Sequence, residues 1–515
     1  MRFDSESIVE EAVTPSRRAR LWADADPEGE AQWPRTKRNS IPDSESWPEP
    51  PTIEPTSRKP SDPPQARGAS KAVTKWPTLT RAHAISFAGL LLFTAVTYFR
   101  PYELIAALSD FRSMAFWLAV ATLIVFIPTQ LSADGTITAR PLEVNLALLL
   151  ALAGLLSVPF ATAPSEAWAT FLDFAKVIAM FIVMVNVVRT ERRWRWLMWL
   201  SLIVSIALSI YALNDYRLGH FDIRGERIEG VIRKGLFENP NDMALHLVTM
   251  IPIAMGLLFV ARSYTRKALY LLISVLMIGA TIVTFSRGGF VGLIVACFVL
   301  AWKLGRRNRV VIVALFMVAA AFSVAALPSE FLGRIVSLFG GDDGGSAVSR
   351  QHLLWQSIQV TLRHPILGIG MGNFHNVSDS EQVSHNAYTQ VSSEMGVPAM
   401  VLSIIFMVAA LRRLHRIEQE TYDSRSRTRI YYLAVGLQAA LVGYMVCSFF
   451  ASVAYLWYIY YLVGFALCLH RLYEVEGADG VFGRALARKP RGALDLPGDG
   501  DIAPLPGSLL AVYER

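Results

Sequence analysis

Long apolar runs recur along the middle of the chain, separated by short polar stretches, and each is close to the about 20 residues that cross a bilayer as a helix. They fall at approximately 83–99, 113–131, 142–161, 167–188, 194–213, 242–261, 267–285, 288–305, 309–327, 396–411, 430–450 and 452–470. The pattern predicts an all-α polytopic integral membrane protein of about twelve transmembrane helices. Lys and Arg set the orientation, because short cytoplasmic loops are enriched in them. With the N-terminus inside, four basic loops fall on the cytoplasmic side. They hold Arg189, Arg192, Arg193 and Arg195; Arg262, Arg266 and Lys267; Lys303, Arg306, Arg307 and Arg309; and Arg412, Arg413, Arg416, Arg425, Arg427 and Arg429. Removing any one early helix would scatter them, so both termini are expected inside. Two larger loops, about 214–241 and 328–395, then fall outside, the second partly helical.

The first outer loop breaks the charge rule with Arg217, Arg224, Arg227, Arg233 and Lys234. Two readings stand. The cations serve an anionic ligand on the outer side, or they pair with Asp215, Asp222, Glu226 and Glu229 of the same loop.

Composition adds the ends. Only 18% of the 515 residues are charged, against about 25% in soluble domains, and much of that charge lies outside the spans. Residues 1–80 are rich in Pro, Ser and charge, as in Trp47-Pro48-Glu49-Pro50-Pro51, and read as a disordered cytoplasmic tail. No apolar signal-peptide core lies between Met1 and Lys75. A second cytoplasmic tail covers 472–515, leaving 81–471 as the membrane domain. The net charge of +7 suits basic loops beside anionic lipid. It does not point to nucleic acid, since no basic stretch with interleaved aromatics sits on a soluble fold. Cys297, Cys447 and Cys468 all lie in apolar runs, so neither a disulfide framework nor a metal site is expected.

Three outward segments carry candidate chemistry. Asn239-Pro240-Asn241-Asp242 opens a span. Pro at the first helical position and flanking Asn side chains read as a helix cap, and a helix start is also a place for an anion. Thr284-Phe285-Ser286-Arg287-Gly288-Gly289 forms an outer turn. An Arg at the membrane edge is costly unless it snorkels or has a role. The long loop holds Ser349-Arg350-Gln351-His352 and Trp355, then His364-Pro365 and Gly368-Ile369-Gly370-Met371-Gly372-Asn373, then Ser384-His385-Asn386, Glu394 and Gly396. Residues 348–363 have helical spacing, with Leu353, Leu354, Ile358 and Leu362 able to line one face and Arg350 opening the helix. The glycine run is no Walker loop, since no Lys-Ser/Thr follows it. Glycine backbone beside a ligand is the milder reading.

In this order and on this one face, the segments resemble the O-antigen ligase and polysaccharide polymerase family. The resemblance rests on Asn239-Pro240-Asn241, Ser286-Arg287-Gly288, Arg350 with Trp355, His364-Pro365 with Gly368 and Gly370, and His385-Asn386 with Glu394 and Gly396. Arg100-Pro101-Tyr102-Glu103 is similar to a subset of the family; neither tail is explained by it. The resemblance implies a GT-C-like, metal-independent, inverting glycosyltransferase of the inner membrane with a periplasmic site and no cofactor. Its donor would be a glycan on undecaprenyl diphosphate, and its acceptor lipid A-core for a ligase or the growing chain for a polymerase. Arg287 and Arg350 would grip the diphosphate bidentately, with Arg224 and Arg233 as further candidates. His385 would be the base, kept neutral because nearby cations lower its pKa. Asn239, Asn241, Ser286, Asn386 and Glu394 would support them, and His364 is read as structural. The alternative is a small-solute, bicarbonate-type transporter. That reading requires ionisable residues deep in the spans, and only Asp173 and Lys176 lie well inside, three apart on one helix face, where they are expected to pair with each other.

Overall fold

The computed structural model describes residues 83–99, 113–219, 239–305, 346–379, 381–422 and 429–487. Arg100 to Glu103, Arg224, Arg233, the predicted span 309–327 and the segment 1–80 lie outside the described residues.

Among the described residues the chain is helical throughout, without strands. In chain order the helices are α1 (Ala84–Phe99), α2 (Met114–Asp134), α3 (Leu142–Ser157), α4 (Pro164–Val187), α5 (Glu191–Leu218), α6 (Pro240–Val260), α7 (Tyr264–Val283), α8 (Arg287–Leu304), α9 (Ser346–Arg363), α10 (Phe374–Val377), α11 (Ala387–Met395), α12 (Val397–Thr421), α13 (Arg429–Cys447) and α14 (Trp457–Ala487). Nine of the described helices are long and apolar enough to cross a membrane, with α1 a shorter apolar helix beside them. Each predicted span except 309–327 falls on a described helix. Two boundaries differ. The last span starts at Trp457 rather than 452, because residues 448–450 form a 3₁₀ turn and the chain runs irregularly to Leu456. At the other end, α14 continues beyond residue 471 to Ala487.

The start residues follow the capping rules. Thr190, Asn239, Ser286 and Asn386 each use a side-chain oxygen to accept a free N–H at the head of α5, α6, α8 and α11. Of the nine candidate spans among the described residues, α6 and α13 are the most enclosed. They approach backbone to backbone at Gly256 and Gly436: a Cβ on Gly436 would sit 2.7 Å from the Pro252 carbonyl oxygen. Small residues replace the hydrophobic effect as the reason two helices pack in lipid.

The two ends of the bundle are chemically unlike. Three buried or nearly buried guanidinium groups meet the C-terminal carbonyls of α4. Arg193 donates to Val187 O at 2.8 Å, Arg189 to Asn186 O at 2.7 Å, and Arg471 to Val185 O at 3.2 Å. Cations there satisfy orphan carbonyls and complement the helix dipole. Arg189 also pairs with Asp134, Arg413 with Glu143, and Lys303 with the buried Glu418. The opposite end gathers the turn before α8, the glycine run, α11 and the 3₁₀ turn after α13. Within α4, Asp173 and Lys176 pair with each other, as the spacing predicts.

Candidate functional site

Asn239, Asn241 and Ser286 form one capping system. The Asn239 Oδ1 accepts from the Asn241 backbone N–H at 2.9 Å and from its Nδ2 at 2.9 Å. Ser286 Oγ donates to Asn241 Oδ1 at 2.8 Å and accepts the Gly289 N–H at 3.1 Å. The head of α8 is thereby fixed to the head of α6. Asn-Pro-Asn is thus the helix cap that its residues predict. Arg287, the first residue of α8, is half-buried and makes no ion pair or side-chain hydrogen bond among the described residues. Phe285, just before, has φ of 52°. A bulky residue in the left-handed region costs roughly 1 kcal/mol. It is held there by the Thr284 hydroxyl, which accepts the Ser286 N–H at 3.2 Å.

His385 repeats this arrangement. Its φ is also 52°, it is half-buried, and its backbone N–H donates to Ser452 Oγ at 2.8 Å. Asn386 caps α11, its Oδ1 accepting the N–H groups of Tyr388 at 2.9 Å and Thr389 at 3.1 Å. Ser384 Oγ donates to Asn386 O at 3.0 Å.

Residues 447–452 bring the two turns together. On one side the Cys447 thiol donates to Gly288 O at 3.5 Å, and Phe450 lies so close to Gly288 that an added Cβ would be 2.5 Å from its Cβ. On the other side Phe449 packs on the Tyr388 ring at 4.5 Å. Ser448 Oγ donates to the Tyr388 hydroxyl at 3.2 Å, and Ser452 holds His385. Sequence reading missed this segment. Its signal is the polar interruption of Ser448 and Ser452 where two apolar runs meet. Ser448, Ser452, Tyr388 and Tyr455 thus join the candidate residues.

The glycine run has a protein carboxyl group for a partner. Gly372 N–H donates to Glu394 Oε2 at 2.8 Å, and Phe374 N–H to Oε1 at 3.3 Å. The Tyr455 hydroxyl donates to Oε2 at 2.7 Å. Gly370 N–H meets Glu394 O and Ile369 N–H meets Ser393 O, at 3.0 and 2.9 Å. Gly368, Gly370 and Gly372 all have positive φ, which Gly alone adopts without strain. These amides therefore wrap the C-terminal half of α11 rather than a phosphate. Burial pushes Glu394 up to about 7, against the opposing pull of its donors. Burial also raises the Tyr455 hydroxyl well above its usual value, and the adjoining Glu394 adds to the effect. Beside this cluster a mostly apolar cavity of about 40 Å³ is lined by Phe174, Tyr388, Tyr444, Ser448, Tyr455 and Tyr460 among others.

Arg350 is half-buried in the second turn of α9, since the helix begins at Ser346 and not at Arg350. Its inner face also differs from the apolar stripe expected. Leu353 and Ser357 are buried, and Thr361 shares a 2.9 Å hydrogen bond with Ser392 on α11. Leu362 is instead 75% exposed, and with Val348 and Trp355 it forms an outward apolar stripe at seven-residue spacing. α9 thus turns Leu353, Ser357 and Thr361 inward, with Thr361 bonded to α11, and a separate apolar stripe outward. His364 is exposed and its carbonyl accepts the Gly368 N–H at 3.1 Å.

Residues 272–404 match the family model described as O-antigen ligase. The matched stretch takes in Ser286-Arg287-Gly288, Arg350, Trp355, the glycine run, His385, Asn386 and Glu394. The resemblance read from the motifs therefore holds over this segment, which supports a membrane enzyme of the O-antigen ligase type. The solute-transporter alternative draws no support from the match. No curated protein matches the chain.

Proposed function

We propose that this protein is an inner-membrane glycosyltransferase that moves a glycan from an undecaprenyl-diphosphate carrier to a sugar hydroxyl at the periplasmic face. The observation that carries the reading is the pairing of two turns across residues 447–452: one ends in Arg287, half-buried and without a carboxylate partner among the described residues, and the other presents His385. The matched O-antigen ligase segment gives the chemical context.

The acceptor hydroxyl attacks the anomeric carbon from the side opposite the diphosphate. Its oxygen–carbon bond forms as the carbon–diphosphate bond breaks, inverting the centre. The bonding pair leaves with the diphosphate, and the hydroxyl proton passes to the imidazole of His385. Negative charge grows on the leaving oxygen during this step. A preset guanidinium binds that charge better than it binds the ground state, and so lowers the barrier. Arg287 fills this role, and Arg350, Arg224 and Arg233 are further candidates for the diphosphate. The step requires a neutral imidazole at His385, able to accept a proton. The guanidinium groups supply the positive charge, so the step is written without a divalent metal. The apolar stripe of α9 suits an amphiphilic donor, whose lipid reaches the site from the bilayer.

Twelve spans with both termini cytoplasmic remain the topology of this proposal. Deleting the gene and separating the envelope glycans tests the function. Polymer missing from lipid A-core, with free polymer still made, identifies a ligase. Single repeat units in its place, or loss of secreted polysaccharide, identify a polymerase. Unchanged glycans would reject the proposal.

A further inference from the structure

At the end of the bundle far from Arg287 a groove of about 1040 Å³ opens between helices. Its floor is α5, and its walls are α1 and α7, with Leu257 of α6 behind. Below the rim the lining is apolar, including Leu91, Leu92, Leu200 and Ile203. At the rim stand Arg192, Arg195 and Arg266, with Trp196 and Trp199 beside them. Trp199 packs on Tyr270 at 5.5 Å.

The charge balance at the rim is one-sided. Among the described residues no carboxylate lines the groove. Arg192 and Arg266 have no ion pair or side-chain hydrogen bond among the described residues. Arg195 reaches only Glu191, at 3.8 Å, and the same carboxylate is held by Arg429 at 2.7 Å. Three guanidinium groups above an apolar slot, flanked by indoles, match a ligand with an anionic head and a long apolar body. Trp at this level is characteristic of a membrane interface, and basic pockets between membrane helices bind acidic lipid head groups. The groove lies at the upper end of the about 300–1,000 Å³ of ordinary ligand pockets, large enough to take acyl chains.

We infer that this groove binds an anionic glycerophospholipid, its phosphate on Arg192, Arg195 and Arg266 and its acyl chains between α1 and α7. The site is separate from the reaction. It joins the N-terminal ends of α5 and α7, and α7 leads on to the Thr284–Arg287 turn. A bound lipid therefore braces the helix that carries the Arg287 turn. Each arginine faces water and lipid rather than the core, so replacing it does not leave a buried partner unpaired.

The test uses the full chain in nanodiscs of phosphatidylcholine with phosphatidylglycerol, followed by native mass spectrometry of the released protein. The wild-type protein should retain phosphatidylglycerol over phosphatidylcholine by on the order of tenfold, as expected for a few basic contacts. Arg192→Gln with Arg266→Gln should abolish the preference, while Arg192→Lys with Arg266→Lys should keep most of it. Ala95→Phe, which fills the slot, should reduce retention of both lipids. Excess soluble glycerophosphate should not displace the lipid, because the chains hold it. Equal retention of the two lipids by the wild type, an unaltered preference in the Gln variant, or displacement by glycerophosphate would each overturn the inference. So would capture of a protein partner in place of lipid at the rim.

Discussion

An arginine at the head of a membrane helix, half-buried and without a carboxylate to meet it, is stable only if something else answers its charge. Among the described residues Arg287 is in that position, and the Ser286–Asn241 hydrogen bond fixes the turn that carries it. Arg287→Gln should therefore lower kcat by on the order of 10²-fold or more while leaving the thermal midpoint nearly unchanged. Turnover of a lipid-diphosphate glycan by purified protein checks this, and full activity would remove Arg287 from the site. His385→Ala should cost between roughly 10² and 10⁴ in rate, the range for a general base. Glu394 makes a different prediction, about stability. Its folded pKa of about 7 lies above the usual carboxylate value of 4.5. The unfolded chain thus releases its proton first as pH rises. The stability contributed by protonated Glu394 is complete below pH 4.5 and falls away as pH climbs towards 7, by roughly 3 kcal/mol at most. Thermal midpoints measured between pH 5 and 8 should decline for the wild type. Glu394→Gln keeps an acceptor for the Gly372 N–H and should flatten that slope, and a parallel decline in both proteins would count against the assignment.

The helices make the next set of constraints. α8 begins where Ser286 caps it, and it can lie against the 3₁₀ turn after α13 only because residue 288 has no side chain. Gly288→Ala places a methyl 2.5 Å from Phe450 Cβ, and overpacking of this kind costs about 1–3 kcal/mol. The shift should also move Arg287 relative to His385, so activity should fall further than stability. Comparing the kcat loss with the change in thermal midpoint separates the two. Much of this level was legible in the residues. Asn239-Pro240-Asn241 marked a helix start, and the apolar runs marked α2 to α8, because capping and periodicity are local. What was not legible depended on contacts between distant segments. The Gly368–Gly372 run looks the same whether its amides face a phosphate or the Glu394 carboxylate, and only the fold supplies Glu394. The inner face of α9 was misread at Leu362, because helical spacing gives a stripe without saying whether core or solvent lies beyond it. Ser448 and Ser452 carry no motif of their own. Their importance comes from lying between Gly288 and His385.

For the whole molecule, sidedness decides whether the chemistry is possible. The buried Arg189, Arg193 and Arg471 and the ion pairs of Arg413 and Lys303 crowd one end, while Arg287, His385 and Glu394 belong to the other. Basic loops stay in the cytoplasm because moving them across a membrane is unfavourable. If that rule governs this protein, the Arg287 end faces outward, where a flipped lipid-linked glycan would be presented. A pair of single cysteines tests the argument, one at each end. Leu362 is 75% exposed on α9, and Arg262 is exposed between α6 and α7 at the basic end. In intact spheroplasts a membrane-impermeant maleimide should label Leu362→Cys and should reach Arg262→Cys only after permeabilisation. Cys447 and Cys468 are buried and Cys297 is half-buried, so the unsubstituted protein should give a low background. The opposite labelling pattern would place Arg287 and His385 in the cytoplasm and remove the lipid-diphosphate mechanism with them. Labelling of both positions from outside would instead break the helix count, because α6 and α7 would no longer turn on the inner side. Either outcome would leave the capping geometry of Ser286 and Asn386 untouched, so the experiment bears on function independently of the fold.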